Sequence, residues 1–459
     1  MKKYRFFSAV LTLALLLATA VPALALEAPE LTCGAAILVD GDHGDVLFEK
    51  NGYEKMYPAS ITKIMTSLLV LEAIEDGQLT LDTPITASET AIAAITADSS
   101  TQNIQPGEIL TVEQLLYCDL VASANEACNI LAETVAGSIS AFVDLMNQKA
   151  AELGMENTHF VNPSGLHDPE HYTTAYDIYL MAHAAMQYET FRTIVSTARY
   201  VVPATNMSGE RNLYTTNALI DNWRIAGYTY SKAIGIKTGT TDAAGQCLAA
   251  AAVDEQGRTF YCVVLNAQNV VDSAGNTTRY SFKESRDLLE WGFANFERMT
   301  LMDDTTLIRE VAVTLSDEQD YVLAEPRGSV ERTMPTDYDP ELAEYRVDLP
   351  ESVEAPVEAG DVLGTVTLIY EGEEYGTLDL VAADGVARSD FQYYLKTIQE
   401  YLNTWWVRAL LIVLAVLILV LILYLGVIRP HRRSRNRYRR RTYSGSRRSR
   451  YSGQRRRRY

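Results

Sequence analysis

Ser60 and Lys63 stand three residues apart in "YPASITKIMTSLLV", Tyr57 to Val70, where nearly every other position is apolar. A serine hydroxyl is a weak nucleophile until a base takes its proton, and an i, i+3 spacing on a helix brings a lysine amine to the same face. Ile61, Ile64 and Met65 surround Lys63 in sequence, so desolvation should disfavour its ammonium form and leave an amine able to act as a base. Pro58 and Ala59 precede the serine, which places Ser60 at the opening of the helix. There, free backbone N–H groups and the positive dipole end stabilise a developing oxyanion. A helix cap at Ser60 with Lys63 snorkelling to water would leave the same pattern.

Two further clusters share this chemistry. "SAN" at Ser123 to Asn125 interrupts a helical stretch and supplies a hydroxyl that relays a proton and an amide that holds a peptide carbonyl. The triplet is not rare, since "SRN" recurs at Ser434 to Asn436 in an arginine-rich segment. "KTG" at Lys237 to Gly239 occurs once. On a strand, Gly239 lets a ligand backbone come close, while Lys237 and Thr238 suit a carboxylate.

The elements that must position these residues are legible from periodicity. "CGAAILVDGDHGDVLFEKN" alternates around a Gly-Asp turn and reads as a β-hairpin. Helical spacing follows from Ser60 to about Ile74, through "VEQLLYCDLVASANEACNILAETVAG" up to Gly137, and through "AFVDLMNQKAAELGM". "AIGIKTGTT", "GQCLAAAAV" and "TFYCVVLNA" read as strands and "SFKESRDLLEWGFANF" as a closing amphipathic helix. Strands at both ends of a helical middle predict an α+β domain whose antiparallel sheet is assembled from both termini. From about Thr300 the chain turns acidic and β-rich, predicting a small all-β domain, and "SDFQYYLKTIQEYLNTWW" reads as a helix leading to a membrane.

The chain ends carry targeting signals. Lys2, Lys3 and Arg5, then "AVLTLALLLATAV", then Ala23 and Ala25 read as a secretory signal over residues 1–25. Val407 to Ile428 is an apolar run long enough to cross a hydrocarbon core of roughly 30 Å, with Trp405 and Trp406 at one interface. Residues 429–459 hold 15 arginines and no acid, so the positive-inside rule puts them in the cytoplasm and the bulk of the chain outside. The formal charge of −19 hides this division: without the tail arginines, 25 basic residues face 59 acidic ones, or −34. Nucleic acid is not an expected partner of such a surface, and the tail is expected on anionic lipid or as a topology anchor. Five scattered cysteines match no metal spacing and read as small buried hydrophobes.

In order and spacing, Ser-x-x-Lys, Ser-x-Asn and Lys-Thr-Gly resemble the signature set of penicillin-binding proteins and class A β-lactamases. The text around them, from "YPASITKIMT" through "HFVNPSGLHDP" to "IGIKTGTTDAAGQ", is similar to the low-molecular-mass D-alanyl-D-alanine carboxypeptidases over about Leu31 to Phe296. That resemblance implies an α+β penicillin-binding/β-lactamase-like transpeptidase fold, with an antiparallel sheet, helices on both faces and a helical subdomain. A small all-β domain and one transmembrane helix follow. It implies a catalytic domain at 27–299, a β-rich domain at 300–385, a linker helix at 386–406, a span at 407–428 and the tail at 429–459.

The resemblance further implies serine-type acyl-enzyme chemistry that removes the terminal D-alanine from peptidoglycan stem pentapeptides. It makes β-lactams covalent inhibitors and requires no metal or organic cofactor. Ser60 would be the nucleophile, Lys63 its base and Ser123 the proton relay. Asn125 would bind the acyl side of the substrate, Lys237 with Thr238 and Gly239 would hold the terminal carboxylate, and the N–H groups of Ser60 and Thr240 would form the oxyanion hole. Where the family often has a histidine after Lys-Thr-Gly, this chain has Thr240. His159, His167 and Asp168 read as structural. No Glu-x-x-Leu-Asn carboxylate of the β-lactamase kind follows Ser-x-Asn. An endopeptidase acting on cross-links and a penicillin-binding sensor are the alternatives.

Overall fold

The computed structural model describes residues 27–96 and 99–425. The expected signal at 1–25, the arginine tail at 429–459 and the end of the span at 426–428 therefore lie outside the described residues. The chain divides into two compact units after Leu301, with Glu331–Glu341 belonging to the first and Met302–Val330 and the residues from Leu342 onward to the second.

The first unit is built on strands β1 (Ala35–Asp40), β2 (Val46–Lys50), β3 (Ala233–Thr241), β4 (Gly245–Val253) and β5 (Thr259–Ala267), in the order β2-β1-β5-β4-β3. Every described pairing in it is antiparallel, and β1 from the start of the chain docks on β5 from its far end. The period-2 alternation of strands makes it a two-faced sheet. Ala35, Ile37, Val39, Ala249, Ala251 and Val263 pack into one core cluster, while Ala36, Leu38, Leu248, Ala250 and Val264 pack into another. The second cluster is closed by Leu288, Leu289 and Phe293 of α6 (Tyr280–Asn295), whose ordinal follows from the helices on the opposite face.

Those helices are α1 (Lys63–Glu75), α2 (Val112–Leu120), α3 (Asn125–Ala136), α4 (Ile139–Glu152) and α5 (Ala175–Ala185). Helix α1 is buried on nearly every side, including Ile64, Leu68 and Val70, and it packs against α3 and α5. A helix apolar all round belongs in a core, and each fully buried Ile or Leu contributes about 1.5–3 kcal/mol. Thr111 and Gln114 form a capping box that starts α2, and Gly137, at φ +77°, ends α3 in the left-handed conformation expected of a C-terminal glycine. Ser60 does not lie in α1: it sits in a 3-10 turn, Ala59–Thr62, and the α-helix starts at Lys63.

The second unit carries strands β6 (Arg309–Thr314), β7 (Tyr321–Pro326), β8 (Ala343–Asp348), β9 (Ser352–Glu354), β10 (Val362–Tyr370) and β11 (Glu373–Ala382), ordered β8-β10-β11-β7-β6-β9. It ends in α7 (Asp390–Asn403), capped by Ser389, and α8 (Trp405–Leu423). Helix α8 is long and apolar enough to cross a membrane, and Arg408 is its one charged residue. It begins two residues earlier than the expected span, because Thr404 is the break between the helices.

Candidate active site

Three loops and strand β3 bring the sequence clusters together. The 3-10 turn presents a half-buried Ser60 and follows Ala59, whose φ of +49° is left-handed. Ser123, between α2 and α3, also has a positive φ, +61°. Non-glycine residues in this region cost about 1–3 kcal/mol each and persist only where their surroundings hold them. Around Ala59 the holder is the Asn162–Leu166 turn. Asn162 Oδ1 accepts from the backbone N–H groups of Ser164, Gly165 and Leu166, and a Cβ on Gly165 would stand 1.8 Å from Ala59 O.

Lys63 is fully buried. Its Nζ donates to Asn125 Oδ1 at 2.7 Å and to the Ser164 carbonyl at 2.7 Å, and lies 3.2 Å from Ser60 Oγ. All three partners offer Nζ an acceptor oxygen, and the contact with Ser60 Oγ is the one along which a proton can pass between hydroxyl and amine.

Lys237, 1% exposed, donates to Ser123 Oγ at 3.1 Å and to the Thr238 carbonyl at 2.9 Å. Burial, and after it the charge of Lys63, pushes its amine down to about 7, against the pull of Asp119. Strand alternation separates the neighbours: Lys237 lies beneath Ser123, while Thr238 is half-buried at the surface and shares a hydrogen bond with Thr216. Gly239 has a steric reason to be glycine, since a Cβ there would stand 2.7 Å from Pro58 O and 3.1 Å from Ser60 N.

Ser60, Ser123, Thr238, Gly239 and Thr240 line one cleft of about 410 Å³, together with Thr216, Arg224 and Arg279. Lys63, Asn125 and Lys237 stand behind this wall, each hydrogen-bonded to at least one member of the constellation. The two arginines carry positive charge to the cleft. Neither falls in the three sequence clusters: Arg224 stands in a loop and Arg279 ends the short strand Thr277–Arg279, and an isolated arginine in either place offers no local signal.

The histidine loop is scaffold. His159 Nδ1 contacts the Glu170 carbonyl, His167 packs edge-on against Tyr57, and Asp168 accepts from the Glu170 N–H. Sequence reasoning overlooked His171, which is buried and meets Thr62 Oγ1 at 2.9 Å through Nε2 while its Nδ1 accepts from the Val161 N–H. Burial first, then the charge of His159, pushes it down to about 4. Asp119 was also overlooked, although an acid within "LLYCDLV" is as odd as Lys63 in its own helix.

Two serines at one cleft, each hydrogen-bonded to a buried lysine, are groups suited to serine acyl transfer. The family model for D-alanyl-D-alanine carboxypeptidase matches residues 23–269, and that for the C-terminal domain of penicillin-binding protein 5 matches residues 296–388. The D-alanyl-D-alanine carboxypeptidase DacF of Bacillus subtilis is 30% identical over 362 residues, covering 79% of this chain and 88% of the relative. DacC of Escherichia coli is 31% identical over 392 residues, covering 83% and 92%. The crystal structure of penicillin-binding protein 5 from Haemophilus influenzae is 27% identical and superposes with a TM-score of 0.61, covering 79% of this chain and 99% of that one.

The chain belongs to the D-alanyl-D-alanine carboxypeptidase family. It is a serine-type, penicillin-binding carboxypeptidase with the transpeptidase fold and an all-β C-terminal domain.

Proposed function

We propose that Ser60 removes the terminal D-alanine from peptidoglycan stem pentapeptides, with 27–299 as the catalytic domain and 300–385 as the β-rich domain. The observation that carries this is the Ser60–Lys63–Asn125 contact set. Lys63 takes the Ser60 proton as Oγ attacks the penultimate D-alanine carbonyl, and the N–H groups of Ser60 and Thr240 stabilise the oxyanion. Asn125, fixed by Lys63, holds the acyl part of the peptide. As the C–N bond breaks, Ser123 delivers a proton to the leaving amine, with Lys237 behind it. Thr238 receives the terminal carboxylate in the field of Lys237, and Gly239 allows the close approach. Water then cleaves the ester and returns Ser60. The same groups open a β-lactam ring to a covalent adduct.

Membrane attachment is proposed through α8, whose 19 residues reach about 28 Å at 1.5 Å per residue. Phe391, Tyr394, Leu395, Ile398, Tyr401 and Leu402 of α7 are exposed along one helical face and lead directly into it. They suit the outer headgroup layer, with the catalytic domain outside the cell and the arginine tail on the cytoplasmic side, against anionic lipid. Protease treatment of intact cells should spare a tag placed after Tyr459, and its digestion would reverse the topology.

Mass analysis of products from stem pentapeptide and from a cross-linked dimer tests the reaction. Release of D-alanine from the pentapeptide alone is expected. Cleavage of the dimer at a comparable rate would make the enzyme an endopeptidase.

A further inference from the structure

Asp119 of α2 is completely buried, in a helix whose neighbours Leu115, Leu116, Cys118 and Leu120 are buried and uncharged. Its two oxygens have separate donors: Ser67 Oγ of α1 gives its proton to Oδ2 at 2.8 Å, and Cys128 Sγ of α3 gives its own to Oδ1 at 2.8 Å. Two such donors favour the ionised form of the carboxyl. Ser67 follows Lys63 by one turn of α1 and Cys128 follows Asn125 by one turn of α3, so the carboxylate lies one turn beyond the Lys63–Asn125 hydrogen bond, and Ser123, the partner of Lys237, follows α2 four residues after Asp119.

Isolated charges are not buried without partners. Two lysines converge on one cleft here, and among the described residues Lys63 and Lys237 form no ion pair within 4 Å. We propose that Asp119 is a positioning residue of the reaction: its carboxylate, held by Ser67 and Cys128 one layer beneath the cleft, is the counter-charge that sets the protonation of the Lys63 and Lys237 amines. This rests on the roles proposed above for those lysines.

The surroundings of Asp119 agree with that assignment. Ser67 of α1 and Cys128 of α3 contact it, the charges of Lys63 and Lys237 act on it from α1 and β3, and Cys118 adjoins it on its own helix. The helix Glu189–Val195 also packs on α2, but its charged residues Glu189 and Arg192 pair with each other at the surface. The strand Ile109–Thr111, also against α2, carries no titratable group. Burial pushes the carboxyl of Asp119 above its ordinary range, opposed in turn by the charge of Lys63, the Cys128 and Ser67 hydrogen bonds and the charge of Lys237. The Cys128 thiol is pushed far up by burial and then by the charge of Asp119, so it remains a donor.

A counter-charge makes a prediction that packing does not. Removing it withdraws an anion that favours both ammonium forms, so the limbs of the pH–rate profile must both move toward acid. The test is the second-order rate of acylation by a fluorescent penicillin from about pH 5 to about pH 9.5, on the full chain. For Asp119→Asn the profile should move down by about half a unit or more, and Asp119→Glu should restore the limb positions even where the maximal rate is lower. A profile that falls in height without moving, or an Asp119→Glu profile displaced like that of Asp119→Asn, overturns the proposal. Asp119→Ser makes the same charge change with a smaller side chain, and serves if the asparagine variant does not fold. Labelling of Ser60→Ala would sink the reading of the site itself, whereas a stationary profile with labelling confined to Ser60 sinks only the role of Asp119.

Discussion

Lys63 Nζ and Asn125 Oδ1 lie 2.7 Å apart across 62 residues of sequence. This hydrogen bond joins the start of α1 to the start of α3. The same Nζ also donates to the Ser164 carbonyl and to Ser60 Oγ, so one amine ties three segments together at the cleft.

Ser60→Ala should abolish covalent labelling by a fluorescent penicillin while far-UV circular dichroism and the melting temperature stay near those of the parent. Labelling that survives in the alanine variant moves the nucleophile to another residue.

Lys63→Arg should be nearly as damaging as Lys63→Ala. A guanidinium keeps its proton at any working pH and has no lone pair to offer the Ser60 hydroxyl. Stopped-flow acylation rates compare the three enzymes, and a rate for the arginine variant close to that of the parent would refute proton transfer to Lys63.

Lys237 should be needed in proportion to the free carboxylate of the substrate. Its ammonium acts on the carboxylate through its field, with Thr238 making the contact, so Lys237→Ala should cost roughly 10-fold or more in kcat/KM on a peptide ending in D-Ala-D-Ala. The loss should be much smaller on the same peptide amidated at its end. Equal losses on both peptides would show that Lys237 serves only Ser123 or the fold. Its ammonium form is the one that attracts the carboxylate and burial lowers it to about 7. kcat/KM on the free-acid peptide should therefore decline as pH rises through that value.

His171 should give the first unit an acid-sensitive stability. Its folded-state value is about 4 against 6.5 when unperturbed. Above 6.5 both states are neutral and the contribution is complete. As pH falls from 6.5 toward 4 the unfolded chain takes a proton that the folded one refuses, and below 4 the loss levels off. The shift corresponds to about 3 kcal/mol at most. Urea titrations across this window should show the decline in the parent, and its slope should flatten in His171→Gln. An identical slope in that variant would assign the decline to other groups.

Much of this enzyme was legible before any fold was drawn. Strand β3 was marked by "AIGIKTGTT", and the hairpin of β1 and β2 by alternation about a Gly-Asp turn, because a period of two leaves little choice about which side chains are buried. Gly137 announced the end of α3 because a left-handed cap excludes most other residues. Other features had no local mark. The 3-10 turn at Ser60 is held by Gly165, a hundred residues away, and the sequence reading extended α1 through it. Arg224 reaches the cleft from a loop and Arg279 from the end of a three-residue strand, both too short of periodicity to mark them.

Spacing and composition alone marked the residue types available for chemistry: a serine and a lysine one turn apart, a Ser-x-Asn break between helices, and a Lys-Thr-Gly strand. Those are local matters of spacing, propensity and composition. It took the fold to turn Lys63 to Asn125 and Ser164, to set Lys237 beneath Ser123 with Thr238 half-buried beside it, and to bring Asp119 to Ser67 and Cys128. The physical reason is that burial and electrostatic coupling depend on distances between segments brought together by the core, and no stretch of chain carries the distance to its partner.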